Sequence, residues 1–472
     1  MIPFTVSELI LATQGKLVQG SKDAKVRSFS ADTRGLKRND FFIPLKGEHF
    51  EGHHFLKDSL ENQAAGFLVQ QWDEETKNSL KGHLGTDTIV IQVKSTLKAL
   101  QNIARTVRLK KDVPVVGITG SSGKTCTKDM LTSILKEELR VVSSEKSYNN
   151  EVGLPLTLLK ITEQTRAVVL EMAMRGPGQI TELCEIARPN LGVITNIGQA
   201  HLEFLGSEQA ILEAKAELVR AIPPKGAVVL NQDDVSIEKL KEMAMCAVTT
   251  FGRSNVANIR AEEMRMDSWG RVTFGIKGLQ KYVIVNLPVP GRDQVSNALA
   301  AVGAAKNLGI STTAIKNGLE KLILSEMRME MFSTPEGITI LNDAYNANPA
   351  SVAAALRTLS DIDRNSRKIA VLGDMLELGE FAREAHLRVG RLVRQAGVDY
   401  LITVGKESRK IVEEAIRLGM DHKKTYRVEE ANQAGQIMKE IAKPGDIILV
   451  KASRALKLEK ALDGFEKREL HD

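Results

Sequence analysis

The chain has 472 residues, of which 43% are hydrophobic, 26% charged and only 4% aromatic; 65 basic residues against 59 acidic ones leave a net charge of +6. That length predicts about three domains, and the modest, dispersed charge with few aromatics excludes a dedicated nucleic-acid surface and suits anionic small substrates. No apolar run approaches the ~20 residues of a membrane span, the start MIPFTVSELI lacks the basic region and apolar core of a signal peptide, and three scattered cysteines, Cys126, Cys184 and Cys246, suit a reducing cytoplasm without disulfides.

Residues 1–110 mix short strands and turns: VRSFSADTRGLKRNDFFIPLKGEHFEGHHF, then AAGFLV, then DTIVIQV. The stretch STLKALQNIARTV reads as a helix, with Leu97, Leu100, Ile103, Ala104 and Val107 at helical spacing. The charged RLKKD after it reads as a linker. Residues 111–325 alternate strand and helix: VPVVGI, then CTKDMLTSILKEEL with Met130, Leu131, Ile134 and Leu135 on one face, then AVVLEMA, LGVITNI and GAVVLN. Such alternation predicts βαβ units and a parallel sheet. Residues 326–472 open near SEMRMEMF and alternate again through GITILNDAY, SVAAALRTL, KIAVLGD, EAHLRVGRLVRQAG, YLITVG, SRKIVEEAIRLG and DIILVKA. This is a second α/β unit. It holds no G-x-G-x-x-G, so no dinucleotide cofactor is expected.

Chemistry concentrates at strand ends. Thr119, Gly120, Ser121, Ser122, Gly123, Lys124 and Thr125 form a loop between the strand VPVVGI and a helix. The usual phosphate loop is G-x-x-x-x-G-K-[ST]; this one is tighter, T-G-x-x-G-K-T. The setting still suits a phosphate, because helix-opening amides face an anion there. Lys124 can reach terminal phosphates and the Thr125 hydroxyl can ligate Mg²⁺. Asn149 and Asn150, in SYNNEVGLPLTLL, read on their own as a turn before a helix. Glu171 and His201 follow buried strands at the edge where ligands of parallel sheets gather; each reads equally as a structural residue. Ser207 is a good helix N-cap. In the helix it opens, Lys215 falls on the apolar stripe, flanked by Ile211, Leu212, Leu218 and Val219. It reads either as a snorkelling lysine or as a neutral amine, its pKa lowered by burial, that has taken up CO₂ as a carbamate.

TGSSGKT, NNEVGLPLTLL, EMA, AHLEFLGSEQAILEAKAEL, GRDQVSNALAA and NDAYNANPAS occur in one order that resembles the Mur ligase family over nearly the whole chain. The resemblance implies an α/β protein of three domains: a uridine-diphosphate-binding domain (1–110), a central phosphate-loop ATPase domain with a parallel sheet (111–325) and a Rossmann-like ligase domain (326–472). It implies ATP-dependent joining of D-alanyl-D-alanine to UDP-N-acetylmuramoyl-tripeptide by a monomer in the cytoplasm, with no nucleic acid or membrane as partner. Ser30, Thr33, Arg34, Gly47 and His53 would contact the uridine nucleotide, and Asn149 and Asn150 the substrate. Glu51 stands where the family usually has aspartate. Asn297 would meet adenine, while Arg328 and Asp343 would hold phosphates and ribose; Asp293 and Gln294 replace the family's usual H-N. Two Mg²⁺ ions would lie on Thr125 and Glu171, and on His201 and N6-carboxylated Lys215. Lys124, His201 and Lys215 would be catalytic. The D-N-P-R of the diaminopimelate-adding relative is absent, and folylpolyglutamate synthase lacks this kind of first domain.

Overall fold

The computed structural model describes residues 2–468 apart from 48–50, 146–147, 199–201 and 364. Strands and helices alternate, and four sheets form among the described residues, which is the α/β architecture the sequence predicts. β1 (Phe4–Thr5) pairs antiparallel with β3 (Lys25–Val26). β2 (Lys16–Gln19), β4 (Phe29–Ser30), β5 (Phe41–Phe42), β6 (Gly66–Val69) and β7 (Ile89–Gln92) form a sheet in the order β2-β7-β6-β5-β4, parallel except at β2.

A nine-stranded sheet uses β8 (Val115–Thr119), β9 (Val141–Ser143), β10 (Ala167–Glu171), β11 (Leu191–Ile194), β12 (Ala227–Asn231), β13 (Ala247–Gly252), β14 (Ile259–Met266), β15 (Arg271–Lys277) and β16 (Val283–Pro290). Its order is β16-β15-β14-β13-β12-β11-β8-β10-β9. The sequence reading left residues 247–290 unassigned. They carry β13 and an antiparallel β14-β15-β16 meander that extends the sheet. The third sheet, β17-β18-β22-β19-β20-β21, contains β17 (Glu330–Ser333), β18 (Thr339–Asn342), β19 (Lys368–Gly373), β20 (Tyr400–Val404), β21 (Thr425–Val428) and β22 (Ile447–Lys451). Only its edge strand β17 is antiparallel. Both faces are buried, by separate apolar clusters centred on Leu341, Leu372 and Leu449 and on Ile340, Val371 and Val450. Buried faces on both sides are what a parallel sheet requires.

The chain divides into two compact units. The first comprises Met1–Val116, Leu139–Met172 and Thr181–Pro189, the second Gly117–Glu138, Ala173–Ile180 and Asn190–Asp472. In the first unit, Ser95 caps helix Thr96–Lys110, which buries Leu100, Ile103, Ala104 and Val107 as their spacing predicts. The expected linker RLKKD is corrected: the helix continues through Lys110. Arg108 is buried because its guanidinium donates to the carbonyls of Ala187 (3.1 Å), Lys111 (2.9 Å) and Arg188 (3.3 Å). A buried charge is tolerated when it is hydrogen-bonded in this way. In the second unit, helices Asp293–Asn307 and Thr312–Glu320 pack on helix Lys124–Lys136. Gly318 lies so close that a Cβ would stand 2.4 Å from the Ile134 Cα.

Candidate active site

β8 ends at Thr119, and Gly120 (φ 149°) and Gly123 (φ 79°) turn the chain into helix Lys124–Lys136. Both angles favour glycine. Space adds a second reason. A Cβ on Gly120 would meet the Thr195 Oγ1 at 1.9 Å, and one on Gly123 the Asn297 Oδ1 at 2.2 Å. Lys124 opens the helix, where the unpaired amides and the dipole favour an anion, and its Nζ donates to the Gly120 carbonyl at 2.7 Å. Thr125 is buried in the first turn, and the buried Thr119 Oγ1 has no hydrogen-bond partner.

The short loop is closed from β11. Asn196 accepts from the Ser122 N–H (3.0 Å) and donates to the Ser122 carbonyl (3.1 Å), while Thr195 Oγ1 donates to the same carbonyl at 2.6 Å. The Ser121 N–H donates to the Asn196 carbonyl at 3.1 Å. Ser121 Oγ donates to the Gly198 carbonyl at 2.7 Å and accepts from its N–H at 2.9 Å. The Ser121 and Ser122 amides are therefore taken up within the protein. Asn348 adds a bond from its Nδ2 to the Ser121 carbonyl at 3.3 Å. Cys126, one turn further, is a neutral thiol: burial pushes its pKa up to about 12.

Glu171 closes β10 and is buried. In the same unit, Asn149 donates from Nδ2 to its Oε1 at 2.8 Å. Asn150 instead accepts from the Gly153 N–H at 2.9 Å, opening helix Gly153–Leu158. His201 lies outside the described residues. Ser207 caps helix Glu208–Ala221 as expected, accepting from the Ala210 N–H. Lys215 on that helix is only 2% exposed. Burial first, and the charge of Lys124 second, hold its pKa well below lysine's ordinary value. The amine here therefore loses its proton more readily than that of an ordinary lysine, which is the direction a carbamate requires.

In the third sheet, Asp343 follows β18 and is buried; its Oδ2 accepts from Lys451 Nζ (2.5 Å) and its Oδ1 from the Met329 N–H (3.2 Å). Arg328 sits between Met327 (φ 57°) and Met329 (φ 49°), two left-handed residues that mark a strained turn. Its guanidinium lies 4.1 Å from the centroid of the Tyr345 ring, and its Nε is buried without a partner. Asn297 donates to Gln294 at 2.9 Å. The fold thus brings Thr119 to Thr125, Lys215, Asn297, Arg328 and Asp343 into one unit.

The uridine-binding candidates lie in the first unit. Ser30 Oγ donates to the Asp32 carbonyl at 2.9 Å, and Asp32 caps the short turn Thr33–Gly35. Arg34, 89% exposed along its side chain, pairs with Asp32 at 2.7 Å. Gly47 is half-buried just before the undescribed residues 48–50. His53 is held through Nδ1 by Glu51 (2.7 Å), while Nε2 accepts from the Gln70 N–H (3.3 Å). Sequence reasoning missed Asn196, Asn348 and Lys451. A signal existed for Asn196 and Lys451, since each sits at the carboxyl end of a recognised buried strand.

Residues 118–305 match the Mur ligase middle domain and residues 327–454 the Mur ligase glutamate ligase domain. The chain is 35% identical over 460 residues to the UDP-N-acetylmuramoyl-tripeptide–D-alanyl-D-alanine ligase of Bacillus subtilis, covering 97% of each. Among solved structures, MurF of Acinetobacter baumannii superposes with a TM-score of 0.87 at 28% identity, covering 98% of both chains. MurF ligase of Thermotoga maritima in complex with ADP gives 0.79 at 27% identity over 93% of this chain and 96% of that one. The chain belongs to the Mur ligase family, in its MurF branch.

Proposed function

We propose that the protein joins D-alanyl-D-alanine to the terminal carboxylate of UDP-N-acetylmuramoyl-tripeptide, using ATP and releasing ADP and phosphate, for peptidoglycan synthesis. The observation that carries this reading is the glycine-hinged loop 119–125 with Lys124 at the helix start, in a chain similar to a ligase of that name over 97% of its length. A carboxylate resists attack because its charge is delocalised. Phosphorylating it gives an acyl phosphate, which the dipeptide's amine attacks, and phosphate leaves from a tetrahedral intermediate. Such transfer needs positioning and charge neutralisation more than a protein nucleophile. Lys124 and the helix-opening amides would take the phosphate charge from one side, and Arg328 from its strained turn would add a fork of donors.

Among the described residues no cluster of three His, Cys, Asp or Glu side chains forms a metal site. Thr125 and Glu171 would hold one Mg²⁺, and His201 and a carbamylated Lys215 a second. Thr125, Glu171 and the carbamate would offer the hard oxygens this ion prefers and His201 a ring nitrogen; bound there, the ions would supply charge neutralisation. Asn149 would orient the Glu171 carboxylate. Ser30, Thr33, Arg34, Gly47 and His53 would meet the uridine nucleotide, Asn150 the substrate, Asn297 the adenine and Asp343 the ribose. Segments 1–110, 111–325 and 326–472 would divide these tasks in a monomer acting in the cytoplasm. No described helix is long and apolar enough to cross a membrane.

The test is ADP release against a panel of UDP-muramyl peptides and acceptors. ADP should appear only when UDP-N-acetylmuramoyl-tripeptide and D-alanyl-D-alanine are both present; release driven by a single amino acid would assign the protein to another branch. A carbamate carbon signal from labelled bicarbonate, absent in Lys215→Ala, would test the lysine modification without reference to activity.

A further inference from the structure

The dipeptide's amine becomes an amide, but its carboxylate survives the reaction unchanged. A selective site must take that carboxylate out of water, which costs free energy unless a cation meets it. In open parallel sheets, ligands gather at the carboxyl ends of the strands. Three cations follow strands of the third sheet there. Lys451, ending β22, is buried and satisfied by Asp343 Oδ2 and the Asn346 carbonyl. Lys406, after β20, is exposed. Arg454, three residues beyond Lys451, has a side chain 47% exposed.

Arg454 is held in place. The Ser453 N–H donates to the Asp374 carbonyl at 3.1 Å, and Ser453 Oγ accepts from the Leu376 N–H at 2.9 Å. The turn Arg454–Leu456 therefore stands fixed against the end of β19. The Arg454 guanidinium lies 5.8 Å from the Tyr345 ring centroid, the same ring that Arg328 faces at 4.1 Å, so the two guanidinium carbons are no more than about 10 Å apart. An extended dipeptide spans roughly 7 Å, which is within that upper limit. Among the described residues, both side-chain hydrogen bonds of Arg454 use Nη1, to Glu459 Oε1 (2.8 Å) and Met327 Sδ (3.8 Å). The Nε–Nη2 edge remains, and that edge takes a carboxylate through two parallel bonds.

We propose that Arg454 binds the carboxylate of the incoming dipeptide and makes the protein select an acceptor with a free C-terminus. This rests on the ligase reading above. The experiment compares D-alanyl-D-alanine with its neutral C-terminal amide as acceptors. The wild-type protein should prefer the acid by about 10- to 100-fold in kcat/KM, the range of a charged hydrogen-bond pair. In Arg454→Ala that preference should collapse toward parity, through a higher KM for the acid, with KM for ATP and for the nucleotide-linked peptide unchanged. Arg454→Lys, which keeps the charge, should retain part of the preference, and Lys406→Ala all of it. A preference kept in Arg454→Ala, lost in Lys406→Ala, or replaced by a higher KM for ATP overturns the assignment. If Arg454→Ala does not fold, Arg454→Lys decides: a preference equal to wild type, with the same KM for the acid, overturns it. A wild-type protein that ligates neither acceptor would sink the ligase reading instead.

Discussion

The loop 119–125 and the stretch Ser30–His53 are both candidate nucleotide sites, yet they are held in opposite ways. The loop is fixed by partners more than 70 residues away, Thr195, Asn196 and Gly198, and by Asn348 beyond 220. Candidate side chains in Ser30–His53 instead meet neighbours two residues off, Ser30 with Asp32, Asp32 with Arg34 and Glu51 with His53, and His53 has one longer bond, from the Gln70 N–H. Long-range buried bonds pre-form a site before the ligand arrives, whereas an exposed local pair such as Arg34–Asp32 is weak and screened by salt. Substitutions should therefore affect binding and stability together in the first region, and binding alone in the second.

The largest effect is expected at the centre of the loop. Lys124→Ala should lower ADP release by about 10²–10³-fold, ~3–4 kcal/mol, as for other lost electrostatic clamps. Its melting temperature should fall less than that of Asn196→Ala, because Lys124 Nζ donates to the Gly120 carbonyl inside the loop. Near wild-type turnover would mean the loop does not serve the phosphates.

Lys215→Ala should be nearly inactive too, yet differ in kind. Acetate or formate should partly restore it by filling the place of the carbamate, and should do nothing for Lys124→Ala. Full activity without added acid would sink the carbamate. Burial and the charge of Lys124 lower the lysine's pKa, so its neutral, CO₂-accepting form persists to lower pH than for an ordinary lysine. Activity should be lost on the acid side, where protonation wins, and stripping CO₂ should lower activity on the alkaline side.

Asn196→Ala sharpens the contrast between the two regions. It removes the acceptor of the Ser122 N–H and one of the two donors to the Ser122 carbonyl, which keeps Thr195 Oγ1, and leaves a partly buried amide unsatisfied. ADP affinity by calorimetry should fall about 10-fold, ~1.4 kcal/mol, with a lower melting temperature and unchanged affinity for the uridine nucleotide. Equal losses for both ligands would point to general unfolding. The smallest effect is expected at Arg34→Ala: no measurable change in melting temperature, and weaker uridine-nucleotide binding that salt reproduces in the wild type.

Much of this was legible in the sequence because it depends on local periodicity. The 3.6-residue repeat around Lys215 placed it on a buried face, and the strand–helix alternation set the parallel sheets. What was not legible depends on partners far along the chain. Arg108 sits in a run of charges that looks solvated, and its burial rests on carbonyls that include those of the distant Ala187 and Arg188. Asn196 could be placed at a strand end, but its grip on Ser122 needed β11 and β8 side by side. Strand β14, IRAEEMRM, carries polar residues on both faces, so no clean two-residue alternation announced it, whereas β15, RVTFGIK, does alternate and was legible.

Asn348 opens helix Pro349–Asp361 by accepting from the Ser351 N–H at 2.8 Å, while its Nδ2 reaches the Ser121 carbonyl at 3.3 Å. One planar amide thus spends its oxygen on a helix and its nitrogen on the phosphate loop. Aspartate and serine are equally good at starting helices, so a stabilisation campaign guided by capping statistics would accept them here. Aspartate would set a negative oxygen against the Ser121 carbonyl, and serine would not reach it. Either engineered chain could melt as high as its parent and bind nucleotide less well, which makes this position a place where thermal screening selects against function.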